Sequence, residues 1–292
     1  MFYRVADISF KLTPPKGFRF QQTLSLYRDF FSPDAGIDLM KPIETRISIR
    51  DLEDKTEQKP IFICHPLWSM YHTDKGYVIQ TPDSETRFDT SFETVEFILR
   101  PGAFFVEEKS KSIRTAFIYT LDRILIMYYL SNYLSGAGGL IVHSAGAYIG
   151  GKGCLFLGKS GAGKSTISRL FEGRTGIRTF SDDRMIIRKY KNGYKAHGTP
   201  WAGDANITVN DHFPLSHIFF LNHGNKNEIK ELSFSETLKK MMPVASIPWY
   251  DRDVFPPILD FCEKLIYEIP AHELTFTRDE KAVDNLVEFL SR

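Results

Sequence analysis

The stretch GCLFLGKSGAGKST, residues 153–166, indicates the fold more strongly than any other part of the chain. Its apolar run CLFL is followed by the pattern G-x-x-x-x-G-K-[ST], and the spacing of a short helix comes next. A loop of this kind wraps phosphate groups with its backbone amides, and the helix N-terminus adds partial positive charge. The sequence therefore predicts a phosphate-binding loop, called the P-loop below. Its residues are Gly158, Lys159, Ser160, Gly161, Ala162, Gly163, Lys164, Ser165 and Thr166.

Two side chains of the P-loop have expected chemical roles. Lys164 is expected to reach the β- and γ-phosphates of a bound nucleotide, and Ser165 to offer its hydroxyl to Mg²⁺. Thr166 either shares the metal or caps the helix. The alternative, a chance match in a glycine-rich turn, is disfavoured because an apolar strand precedes the loop and a helix follows it.

Two adjacent acids, Asp182 and Asp183, end the next strand-like run, GIRTFS. That run is predicted to return parallel to the P-loop strand, so the acids would lie at the edge where ligands bind in α/β sheets. Successive side chains of an extended segment point in opposite directions, so the two carboxylates are expected to do different jobs. One would face Mg²⁺ with Ser165 and the other the phosphate acceptor. A helix cap or a solvated turn is the alternative.

His143 lies in the apolar run GLIVHSAGAYI, which precedes the P-loop strand. Gly150 and Gly151 between the two runs predict a tight hairpin, so the P-loop strand would have an antiparallel neighbour. A histidine in such a strand is either a satisfied core residue or a group that orients phosphate, metal or Asp182.

Together, HSAGAYIGGKGCLFLGKSGAGKST and FSDDRMIIR resemble the catalytic domain of HPr kinase/phosphorylase and, more distantly, the nucleotide core of phosphoenolpyruvate carboxykinase. The resemblance implies an ATP- and Mg²⁺-dependent serine kinase with His143, Lys164 and Asp182 as catalytic residues. Asp182 would be the general base, and Ser165 and Asp183 would hold Mg²⁺.

The same resemblance implies a protein or peptide as the phosphate acceptor, such as a modified-peptide precursor or an HPr-like protein. It also leaves a homo-oligomer as an expectation, since HPr kinases are hexamers. The alternative function is a regulatory or assembly module that binds ATP and transfers nothing.

Two further segments lie near the predicted site. HGTPWAGD, residues 197–204, either contacts the acceptor or metal, or forms a turn packed on the core. The alternate basic residues within 184–195 are interpreted as one solvated face, with attraction of an acidic peptide as the alternative.

The predicted fold class is α/β (α+β), with a mixed sheet and a P-loop of the HPr kinase/phosphoenolpyruvate carboxykinase type over residues 112–292. A smaller, mostly β region over residues 1–111 precedes it. Within the larger region, helices are expected over 112–134, 254–264 and 279–290, and LIYEIP (265–270) is expected to be a strand.

Composition limits the partners and the compartment. The 292 residues carry 37 basic and 36 acidic side chains, a net charge of +1, which argues against nucleic acid as a partner. The longest apolar helical run falls short of the roughly 20 residues that span a bilayer, so no membrane contact is expected. Three scattered cysteines and a start that does not look like a signal peptide favour the cytoplasm.

Overall fold

The computed structural model describes residues 1–21, 25–33, 41–53, 59–64, 68–89, 91, 93–103, 106–114, 138–249, 252 and 255–292. The chain divides into two compact units, Met1–Tyr129 and Leu130–Arg292. Both units contain mixed sheets, and helices cover the smaller share of the described residues. The coarse prediction of a mixed α+β fold is therefore confirmed.

The first unit is built from a nine-stranded and a three-stranded sheet, whose strand orders are β4-β1-β2-β5-β10-β9-β8-β7-β6 and β11-β12-β3. The strands are β1 (Phe2–Val5), β2 (Ile8–Thr13), β3 (Arg19–Gln21), β4 (Phe31–Ser32), β5 (Ile43–Ile49), β6 (Phe62–Cys64), β7 (Trp68–Thr73), β8 (Gly76–Gln80), β9 (Ser84–Asp89), β10 (Thr94–Leu99), β11 (Val106–Glu107) and β12 (Ser112–Arg114). A 3-10 helix covers Ser25–Phe30.

The helix predicted over residues 112–134 does not begin where its spacing suggested. Ser112–Arg114 instead forms β12, which pairs in parallel with β3 and antiparallel with β11. Pairing with two neighbours satisfies the backbone of these residues better than a helix end would, because a helix leaves its first N–H groups unpaired. The rest of the predicted helix lies outside the described residues.

The second unit carries the P-loop. Its strands are β13 (Gly139–Ile149), β14 (Lys152–Leu157), β15 (Ile177–Ser181), β16 (Arg184–Tyr190), β17 (Gly193–Gly198), β18 (His212–His223), β19 (Glu228–Glu231) and β20 (Ala271–Phe276). Its described helices are α1 (Lys164–Leu170), α2 (Phe234–Met241), α3 (Phe255–Glu268) and α4 (Glu280–Leu290). In the part of the chain that the structure describes, no helix is long and apolar enough to cross a bilayer.

The P-loop strand β14 lies between an antiparallel and a parallel neighbour. It pairs antiparallel with β13 through the predicted glycine hairpin, and parallel with β18, which in turn pairs parallel with β20. β15 pairs with the opposite side of β13, so it runs parallel to β14 with β13 between them. The carboxyl ends of β14, β15, β18 and β20 therefore point the same way, and this shared edge carries the site.

Strand alternation divides the core of the second unit into two layers. Cys154 and Phe156 of β14 belong to the cluster that packs under α1 and α4. Leu155 and Leu157 belong to the cluster on the opposite face, which includes residues of β16, β17, α2 and α3. This period of two is expected for a strand buried on both faces.

Two local predictions in this unit need correction. LIYEIP is not a strand over 265–270, because α3 continues to Glu268 and the strand begins only at Ala271. The buried residues Ile258, Phe261, Cys262, Leu265 and Ile266 of α3 keep helical spacing through this stretch, so one face of the longer helix is buried. The β16–β17 hairpin is present, but Tyr190 pairs with Gly193, so its turn is shifted one residue toward the N-terminus.

Candidate functional site

The P-loop is shaped by close contacts that require glycine. A Cβ built on Gly163, whose φ is 102°, would lie 2.6 Å from Cε1 of His223, and a Cβ on Gly158 would lie 2.4 Å from the Cβ of Ala162. Gly161 also has a positive φ of 82°. The loop thus turns tightly before α1, with backbone amides at the helix start, and it has the cradle shape that suits phosphate groups.

Lys164 is held inside the P-loop. Its Nζ donates to the carbonyl oxygens of Gly158 at 2.9 Å and Lys159 at 3.1 Å, and only 6% of the residue is exposed. Burial lowers the pKa of Lys164, an effect opposed chiefly by the nearby Asp183 carboxylate. The ammonium group is thus held at the loop by two backbone carbonyl oxygens.

Asp182 is the most fully bonded side chain of the site. Its Oδ1 accepts from the backbone N–H of Gly203 at 2.9 Å and Ile207 at 3.2 Å. Its Oδ2 accepts from the N–H of Ala205 at 2.7 Å and the hydroxyl of Ser165 at 3.2 Å. A carboxylate offers about four lone-pair positions, so these four bonds use its full accepting capacity. Asp182 therefore joins the P-loop helix to the β17–β18 loop.

Asp183 has a different environment. Its Oδ1 lies 3.1 Å from Nε2 of His143, and its Oδ2 lies 3.6 Å from Nε of Arg184. Burial alone would raise the pKa of Asp183, but the hydrogen bond with His143 and the charges of Arg184 and Lys164 lower it overall. About a quarter of the side chain is exposed. This carboxylate is ionised, oriented and open to a ligand.

The structure brings the predicted residues together around one cavity of about 290 Å³. Most of the P-loop, His143, Asp182 and Asp183 line it. Sequence reasoning missed five further lining residues. They are Arg169, Gly203, Asp204, His223 and Arg278. Of these, Gly203 and Asp204 fell in the segment HGTPWAGD, and Arg169 lies in α1 directly after the P-loop. Only His223 and Arg278 come from elements distant along the chain.

The segment HGTPWAGD reaches the cavity only through its last two residues. The imidazole of His197 contacts the hydroxyl of Tyr190 at 3.0 Å, and the hydroxyl of Thr199 donates to the carbonyl of Arg184. Trp201 is buried, with 2% of its surface exposed. The imidazole, hydroxyl and indole of this segment therefore take part in packing, while Gly203 supplies its N–H to Asp182.

The basic residues of β16 and β17 do not form a single solvated face. Arg188 is buried, with 8% of its surface exposed. Lys189 forms an ion pair with Glu268, and Nζ of Lys195 lies 3.0 Å from Nε2 of His212. The interpretation as one solvated face therefore holds for Lys189 and Lys191, which are exposed, and not for Arg188, which neighbouring residues cover.

The residues present fit Mg²⁺ and a nucleoside triphosphate. Mg²⁺ prefers oxygen ligands and is bound through one or two protein groups plus phosphates. The hydroxyl of Ser165 and Oδ2 of Asp182 supply two such oxygens 3.2 Å apart at the start of α1. Beside them, the glycine-shaped P-loop leaves room for phosphate.

Comparison with known proteins identifies one family. The family described as SynChlorMet cassette protein ScmC matches residues 107–253, half of the chain, including the P-loop and both aspartates. No curated protein matches the chain significantly. The expected membership of the HPr kinase/phosphorylase-like family is therefore wrong. That resemblance rested on a short histidine, P-loop and acid-pair pattern, whereas the ScmC match extends over a much longer stretch.

Proposed function

The chain belongs to the ScmC family of SynChlorMet cassette proteins, and we propose that it is a Mg²⁺- and ATP-dependent kinase that phosphorylates a hydroxyl group. The observation that carries the proposal is the difference between the surroundings of the Asp182 and Asp183 carboxylates. Asp182 is bonded to the hydroxyl of P-loop Ser165, and Asp183 is hydrogen-bonded to His143, which lines the same cavity. Phosphoryl transfer needs a phosphate cradle, charge neutralisation and a group that receives the acceptor's proton.

Asp182 and Ser165 form the metal side of the proposed site. Mg²⁺, when bound, would neutralise charge on the β- and γ-phosphates. The Ser165 hydroxyl is the one side-chain partner of Asp182 among the described residues and can rotate away, whereas the other three partners are backbone N–H groups of the β17–β18 loop. Giving up this one bond frees an oxygen on each partner for the ion.

Asp183 is the proposed general base, and this reverses the roles expected from the sequence. Asp182 is buried and bonded to three backbone N–H groups, whereas Asp183 is partly exposed and hydrogen-bonded to His143. In the proposed step the acceptor oxygen bonds to the γ-phosphorus, and the bond from that phosphorus to the β–γ bridging oxygen breaks. The hydroxyl proton passes to Asp183, and ADP leaves.

Lys164 and the backbone amides at the start of α1 orient the phosphates in this proposal. The proposed acceptor is a serine hydroxyl of a protein or peptide. The cavity supports a group presented from outside, because its 290 Å³ lie at the small end of ligand pockets and the triphosphate would fill much of them.

The test is transfer from γ-labelled ATP with Mg²⁺ to candidate acceptors, including the products of neighbouring genes, free serine and the chain itself. We expect label on an acceptor hydroxyl with the unaltered chain and none with Lys164→Ala. Asp183→Asn should keep ATP binding and lose transfer by about 10²–10⁴-fold, the usual contribution of a general base.

Asp204→Asn is the matched control, because it removes one negative charge from the same cavity. The Asp204 carboxylate has no hydrogen bond within the described part of the chain, so transfer should change much less than in Asp183→Asn. Full transfer by Asp183→Asn would refute the assigned base. Tight ATP binding with no phosphorylated product from any acceptor would favour a non-catalytic module instead.

A further inference from the structure

The cavity has a second wall, on the side away from the acid pair. This wall consists of His223, the last residue of β18, and Arg278, two residues after β20. β18 is the parallel neighbour of the P-loop strand, and β20 is the parallel neighbour of β18. The wall thus continues the carboxyl edge of the sheet beyond the P-loop, where ligands of α/β sheets extend.

Side-chain bonds between the two loops hold this wall in place. Asn227, in the turn after β18, donates from Nδ2 to the hydroxyl of Thr277 at 2.9 Å and accepts from the Thr277 N–H at 2.8 Å. The Thr277 hydroxyl also lies 3.0 Å from Oδ1 of Asp279, the N-cap residue of α4. The backbone that carries Arg278 is therefore fixed on both sides.

His223 connects this wall to the P-loop. Its Nε2 lies 3.0 Å from the carbonyl oxygen of Gly161, and its ring packs 5.4 Å from the ring of Phe276. A carbonyl oxygen can only accept, so Nε2 carries the hydrogen of this bond. In the neutral imidazole, Nδ1 is then an acceptor that a ligand hydroxyl or amino group can use.

Among the described residues, Arg278 is the cation of the cavity whose side chain has no protein partner. The other two, Lys164 and Arg169, donate to backbone carbonyls. Within the described residues, the guanidinium of Arg278 makes no hydrogen bond, ion pair or ring contact, and the residue is exposed. A planar guanidinium stacks on aromatic rings and is suited to a flat heterocycle.

We propose that His223 and Arg278 form the nucleoside subsite, with the guanidinium of Arg278 packed on the base and Nδ1 of His223 accepting from the sugar or base. This inference rests on the proposed function. If the γ-phosphate faces Asp183, the nucleoside leaves the P-loop at the opposite end, toward this wall. The cavity volume of about 290 Å³ leaves little enclosed room for the base, so the base would lie on the exposed side chain of Arg278.

The test compares ATP with inorganic tripolyphosphate, which lacks the nucleoside. Their dissociation constants are measured by calorimetry, with Mg²⁺, for the full unaltered chain, Arg278→Ala, Arg278→Lys and Lys226→Ala. Lys226 is the control, because this exposed cation lies in the turn after β18, is paired with Glu228 and does not line the cavity. Circular dichroism checks that each variant is folded.

We expect Arg278→Ala to weaken ATP by about tenfold and to leave tripolyphosphate within about twofold of the unaltered chain. Arg278→Lys should lose most of the same affinity, since an ammonium group does not stack, and Lys226→Ala should change neither ligand.

Equal weakening of both ligands would overturn the subsite, because Arg278 would then bind phosphate. An unchanged ATP affinity in Arg278→Ala would also overturn the subsite. So would an unaltered chain that binds ATP no more tightly than tripolyphosphate. Both outcomes would leave the P-loop function intact. If the unaltered chain binds neither ligand, the proposed function is wrong and the subsite is wrong with it.

Discussion

At the residue scale, the chain places two identical side chains in adjacent positions and gives them opposite environments. Asp182 is 1% exposed and is surrounded by backbone N–H groups of one loop. Asp183 faces the cavity and His143. Asp182 and Asp183 form the two-residue connection between β15 and β16, and the elements on each side of it decide which carboxylate is saturated and which is open to a ligand.

The role of His143 predicts a shift in the pH dependence of transfer. A hydrogen bond to the ionised form of a carboxyl lowers its pKa, and the bond from His143 contributes to the lowered pKa of Asp183. His143→Ala should therefore raise the pKa of Asp183. We expect the acid limb of the kcat/KM profile for labelled transfer to move to higher pH.

His143→Gln is the comparison, because a side-chain amide can still donate to Asp183. Its acid limb should lie between those of the unaltered chain and His143→Ala. An acid limb that stays at the same pH in His143→Ala would show that the titration of Asp183 does not control transfer.

The sequence pattern could identify the P-loop and the acids, but it could not choose between Asp182 and Asp183. That choice depends on Gly203, Ala205 and Ile207, whose N–H groups reach Asp182 from more than twenty positions along the chain. Local spacing carries no information about such a contact. His223 and Arg278 were missed for the same reason, since the pairing of β14, β18 and β20 brings them to the P-loop edge.

At the element scale, the β17–β18 loop is fastened to the proposed metal side of the site. Its backbone bonds to Asp182 are reinforced by a bond from Arg169 of α1 to the carbonyl of Asp204 and by a bridge between Ser181 and Thr208. The loop is thus tied to the helix that follows the P-loop and to the end of β15. Its position and that of Asp182 depend on each other.

Gly203→Ala tests this dependence. A Cβ at this position would lie 2.6 Å from Oδ2 of Asp182, so the loop must move and the Gly203–Asp182 bond must lengthen or break. We expect Mg²⁺-dependent ATP affinity, measured by calorimetry, to fall by about tenfold or more, the effect of losing a hydrogen bond to a charged group.

Ala205→Gly is the control for loop flexibility, because it keeps the backbone donor to Asp182 and adds no atom. Its affinity should stay closer to that of the unaltered chain. Equal affinities in Gly203→Ala and the unaltered chain would show that the loop does not set the geometry of Asp182.

Local sequence patterns predict the starts of the helices better than their ends. Ser233 and Glu236 form a complete capping box at the start of α2, and the Asp279 side chain caps α4, so local chemistry marked these starts. The end of α3 was misplaced because the apolar run LIYEIP suits a strand as well as a buried helix. The choice between them depends on which face the neighbouring elements cover.

At the scale of the whole molecule, a pair of histidines joins the middle of β18 to the amino end of β20, against Phe289 of α4. Nδ1 of His217 lies 3.4 Å from Nε2 of His272, and both rings pack against Phe219 and Phe289. Burial, then His272 and Lys152, lower the pKa of His217 to about 4. Burial also lowers the pKa of His272, and Glu231 opposes that effect.

These histidines make the stability of the folded chain depend on pH. A histidine whose folded pKa lies below the unfolded value of about 6.5 favours the folded state fully above that value. As the pH falls from about 6.5 toward 4, the unfolded chain binds the proton first, so stability is lost across this window. The thermal unfolding midpoint should therefore fall between pH 6.5 and 4.

In His217→Phe, which keeps an aromatic ring and removes the titration, the midpoint should fall less steeply. His72→Phe is the control, at an exposed position in β7 of the other unit, and its unfolding midpoint should fall as steeply as that of the unaltered chain. Equal slopes for all three proteins would contradict the assignment.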